Sequence, residues 1–189
     1  MHPADHRGLR ELYVVTRHQR DHWRALAERL QDSAGDAAQL LRKGSEVART
    51  LLAELQSVSA ARGVHGRPAA QGLGARMAAM HSVLLDSSLE VNQALRIAVL
   101  DVVYVVTLLD YLAGLAREPA DEELARFLGG WAERMRAQER LLRAAAIAVG
   151  EDPRVAVAAA TPGAVGRAAH GLAAAVGTAG EWVDARAAR

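Results

Sequence analysis

Residues 97–115 read IAVLDVVYVVTLLDYLAGL. Apolar side chains fall on almost every side of this run. At helical spacing Val102, Val105, Val106, Leu109 and Ala113 make one face, while Leu100, Val103 and Leu108 fill much of the other. A helix that is apolar all round is either a membrane span or the central helix of a packed bundle. Asp101 and Asp110 favour the bundle, because each costs roughly 2.5–3.5 kcal/mol near a bilayer centre. The valines raise the option of a buried strand, but strands usually stop at about eight residues. The run therefore predicts a buried helix over about 88–116 and no membrane span.

Outward from this helix, the chain reads as further helices joined mostly by short turns. Residues 75–113 contain neither Gly nor Pro, so helix resumes near Ala75. Ser87 and Glu90 form a capping box that breaks it before the central helix. Pro119 ends the central helix. The acidic run Asp121, Glu122 and Glu123 opens the next one, as the positive end of a helix dipole favours. Leu124, Phe127, Trp131, Met135, Leu142 and Ala145 mark its buried face, and Gly129-Gly130 in its middle would allow a bend or tight packing. Thr161-Pro162 starts a last helix to about 187, in which Gly163, Gly166, Gly171, Gly177 and Gly180 suggest close packing, within the chain or across a dimer.

Before the central helix lie two more. The first spans about 8–30, with Leu9, Leu12, Thr16, Gln19, Trp23, Leu26 and Leu30 in alternating steps of three and four, a seam for antiparallel packing. The second spans about 37–62, with Leu40, Leu41, Val47, Leu51, Leu55 and Val58 on its stripe. Gly44 lies on that stripe and leaves room for close approach of another helix. GVHGRPAAQGLG, residues 63–74, forbids a stable helix with four glycines and a proline. The sum is all-α: one domain over residues 1–189, an antiparallel up-and-down bundle of five to six helices around the central apolar one.

Composition narrows function mostly by exclusion. The chain has 189 residues, 51% hydrophobic and 24% charged, enough to bury a core without staples. Its net charge of +1 gives no bulk field toward nucleic acid or anionic lipid. There is no Cys, which removes disulfides, thiolate nucleophiles and Cys-ligated zinc. Arginine outnumbers lysine 22 to one, Lys43 being the single lysine. The first residues, MHPADHRGLRELY, lack an apolar core, so no secretory signal is expected and a cytoplasmic location is. Neither nucleotide-binding glycine motif follows a strand.

Four groups of residues are candidates for chemistry. His18 and His22, one helical turn apart, put two imidazoles on one face where a metal can bind, and Glu11, seven residues earlier, adds a carboxylate. No Glu-x-x-His occurs, which argues against a carboxylate-bridged di-iron bundle. Asp101, Tyr104, Asp110 and Tyr111 form a polar side of the central run, where a ligand pocket between helices is expected, unless the aspartates are held by arginines. Arg62, His65 and Arg67 in and beside the glycine stretch suit an anion. Finally, Arg17 and His22 form Arg-x4-His, which resembles the short motif of HEPN-type helical ribonucleases. The resemblance covers six residues, and Arg76 to His81 repeats the spacing. It implies a metal-independent ribonuclease in which Arg17 stabilises phosphate charge and His22 moves the 2′-hydroxyl proton.

No nucleophile elbow or paired-carboxylate motif stands out. The leading expectation is a non-catalytic interaction or regulatory protein that works through helix faces, with a protein partner or a second copy of itself. A bundle that binds a small ligand or metal is the alternative, and the ribonuclease a further one.

Overall fold

The computed structural model describes residues 3–64, 89–117 and 121–163, with the isolated positions 168, 170, 171, 175 and 186. Four long helices carry the fold: α1 (Pro3–Arg29), α2 (Gly35–Ala61), α3 (Val91–Arg117) and α4 (Glu122–Ala148). A 3-10 turn, Val149–Glu151, and a short helix, α5 (Pro153–Ala156), follow. The protein is an all-α bundle. The described residues form no strand; Glu90 and Ala159 make a single antiparallel bridge that ties the start of α3 to the chain after α5.

Each helix begins and packs as its residues dictate. Asp121 caps α4 by accepting a hydrogen bond from the Leu124 N–H. Asp152 does the same for α5 toward Arg154 and Val155. The seven seam residues, six on α1 including polar Thr16 and Gln19 and Leu30 just after it, are all wholly or almost wholly buried. α1 packs on α2 and α3, and α4 packs on α3 and α2, so the four helices close a ring. Cross-contacts set the directions. Trp23 meets Ala98 and Gly8 meets Leu112, so α1 and α3 are antiparallel; Glu54 meets Trp131 and Gly44 lies beside Gln138, so α2 and α4 are too.

Gly44 is where close approach is needed. A Cβ there would collide with the Trp23 ring, so the missing side chain is the seat of that indole. Gly8 plays the same part for Leu112. α4 runs unbroken through Gly129 and Gly130, and a Cβ at either would meet open space, so the tight packing they allow is not used. Most of the expected last helix, the Ser87 end of the capping box and the stretch 65–74 lie outside the described residues; of that helix's glycines, Gly163 and Gly171 are described, and a Cβ at either would meet open space, so neither is a close contact.

α3 supplies the largest share of the core, with 13 of its 27 residues buried against six in α4. By length and composition it is apolar enough to cross a membrane, yet half of that window is buried inside the bundle. It is not enclosed all round. Val102, Val105, Val106, Leu108, Leu109 and Ala113 are buried, whereas Leu100, Tyr104, Thr107 and Tyr111 form one outward stripe. A corner position in a ring of four helices leaves such a stripe open.

Candidate functional site

The two aspartates of α3 are nine residues apart, about two and a half turns, which puts them on opposite flanks of the outward stripe. Asp101 faces α1, where its Oδ2 lies 2.5 Å from His22 Nδ1. Asp110 faces α4 and is held by the guanidinium of Arg136, which also meets Glu133. Tyr104 donates from its hydroxyl to Glu11 on α1. That hydrogen bond to a carboxylate, with burial added, pushes the Tyr104 hydroxyl above its usual range. Tyr111 is exposed. The four residues expected to line one pocket are thus distributed along 11 residues of helix, and their partners come from two different neighbours.

The histidine pair is drawn together with a different carboxylate from the one its spacing suggested. His18 and His22 stack with ring centroids 5.8 Å apart and planes 22° from parallel. Their third member is Asp101, not Glu11, which is engaged by Tyr104. One ligand atom from each of His18, His22 and Asp101 lies within 4.8 Å of the other two. The His22 side chain is 4% exposed and that of Asp101 15%. An ionised carboxylate only accepts, so in the metal-free chain His22 donates from Nδ1, and an ion seated between the two groups would take the place of that proton. These three residues are the group that could hold a metal ion. Sequence reasoning missed Asp101 as their partner because it lies 79 positions away from His22.

Arg17 does not converge on this group. Its guanidinium, 55% exposed, lies 3.9 Å from Asp21 on the outer face of α1, and five residues of helix turn it well away from buried His22. Arg62 is also engaged within the fold. It makes two 2.9 Å hydrogen bonds to Asp121 and lies 3.8 Å from Glu123, so the end of α2 is clamped to the start of α4. The pairing holds the Asp121 carboxyl below the usual carboxylate range, chiefly through Arg62 and then through the Leu124 N–H. His65 and Arg67 lie outside the described residues. Thr16 and Gln19, on the α1 seam beside His22, are wholly buried, and neither the Thr16 hydroxyl nor the Gln19 amide finds a hydrogen-bond partner among the described residues.

No family model matches this chain, and comparison with curated proteins and with solved structures finds no match either.

Proposed function

We propose that this protein is a non-catalytic helical-bundle interaction protein, with the outward stripe of α3 as its contact face and a second copy of the chain as the partner. The carrying observation is the exposure of large apolar side chains on the helix that supplies the largest share of the core: Leu100 65%, Tyr104 50% and Tyr111 53%. With Thr107 they fall at i, i+4, i+7 and i+11, a continuous stripe along one side of the helix. A single exposed leucine needs no explanation, but a helical stripe of this kind fits a facing helix. Tyrosines suit such a face because each offers apolar area with a polar tip. Two identical stripes meet through a two-fold axis, and the same residues then serve both subunits.

The test is light scattering across a concentration series on the full chain and on a Leu100→Glu, Tyr111→Glu double variant. The expected result is a wild-type dimer and a variant whose dissociation constant is at least about a hundredfold weaker, because each lost side chain counts once per subunit. Wild type that stays monomeric at high micromolar concentration overturns the proposal.

A further inference from the structure

We propose that His18, His22 and Asp101 form a site for one divalent first-row transition ion of the zinc type, bridging α1 and α3. Among the described residues this is the one cluster of three candidate ligands found. Its members stand on rigid elements. His18 and His22 are one turn apart on α1, and Asp101 is set on α3 beside the contact where the Trp23 indole donates to the Ala98 carbonyl at 3.2 Å. The core therefore fixes the two helices next to the site.

The distances are those of a site a short movement from closure. Ligand nitrogens and carboxylate oxygens sit about 2.0–2.2 Å from zinc, so two ligands of one tetrahedral ion are about 3.3–3.6 Å apart. The present spread of 4.8 Å must close by a little over an ångström, and a rotamer change of half-buried His18 can supply it. The donor set selects the metal class. Two imidazoles with one carboxylate suit zinc, cobalt, nickel or iron, whereas calcium and magnesium want oxygen throughout. Asp101 offsets half the charge of such an ion. Three protein ligands leave a further position for water or an external group.

Charge placement supports the same reading. In a chain with 22 arginines, the carboxylate in the middle of its most apolar helix faces two stacked imidazoles. Nine residues further on, Asp110 is matched to an arginine, as a purely structural carboxylate would be.

The experiment uses the full chain freed of metal with a chelator. Zn²⁺ is titrated by calorimetry and Co²⁺ by visible absorption, each into wild type, His18→Ala and Asp101→Asn. The expected result is one ion per chain, a melting temperature raised by about 5–10 °C at a hundredfold excess over Kd, and binding weakened at least about a hundredfold in both variants. His18 is half-exposed, so His18→Ala keeps the test valid if Asp101→Asn folds poorly. Absence of saturable binding overturns the site. So does undiminished binding by His18→Ala, which places the ion on other histidines, or equal binding of Mg²⁺. His18→Ala leaves the α3 stripe intact, so a failure here and a failure of self-association are read separately.

Discussion

Asp101 and Asp110 share a helix, a residue type and an apolar neighbourhood, yet they meet opposite fates. Asp110 sits at the solvent edge and is matched to the permanent charge of Arg136 on α4. Asp101 is nearly enclosed and is matched to His22 on α1, whose charge depends on protonation. The first pair is a surface ion pair, screened and individually weak. The second exchanges hydration for one short bond, so it becomes destabilising as soon as one partner is removed. A carboxylate in an apolar run thus says that a partner exists. Whether that partner is a fixed cation or a titratable ring decides between fastening and chemistry.

The largest expected effect comes from breaking the inner pair. His22→Ala should lower stability by about 2–3 kcal/mol in urea denaturation, because Asp101, largely enclosed, is left without its imidazole. A double variant with leucine at both positions should recover most of that loss; if it does not, the pair contributes more than mutual neutralisation. Asp121 sharpens the comparison from between the two extremes. Arg62→Ala should cost about 1 kcal/mol through the loss of a two-bond clamp. Because the folded Asp121 carboxyl is held below its ordinary value, its share of stability is present above about pH 4 and is lost as the pH falls further through the folded value. The gap between wild type and Arg62→Ala should therefore narrow in denaturation series run below that pH and stay constant above it. The smallest effect belongs to the outer pair. Arg136→Ala should change stability by less than about 0.5 kcal/mol, and molar salt should erase the difference. A large effect there would collapse the distinction between the two aspartates.

Much of the fold is legible in the sequence because it rests on local periodicity. The α1 seam is buried residue for residue as its three-and-four spacing predicts, and Gly44 accommodates another helix as its place on the α2 stripe implies. The acidic opening of α4 and the turn before α5 follow from capping chemistry that acts within three residues. The open side of α3 is not legible. Leu100 and Leu109 are equally apolar, and only the arrangement of neighbouring helices decides which one faces out. The site is half-legible for the same reason. The spacing of His18 and His22 fixes a shared face within one helix, but the carboxylate that joins them is chosen by how α3 lies against α1. Glu11 fits the spacing along α1, and the Tyr104 hydroxyl claims it from across the groove.

The indole of Trp23 rests in the notch left by Gly44 on α2 and donates its N–H to Ala98 on α3. This one ring therefore touches three helices at a single level of the bundle, directly beside His22. With Trp131 and Trp182 changed to phenylalanine, its light emission becomes a gauge of that junction. The emission stays blue while the three helices are joined and moves red when any one departs. A paramagnetic ion seated on the neighbouring imidazoles would dim it, so the protein carries its own optical readout of both assembly and occupancy.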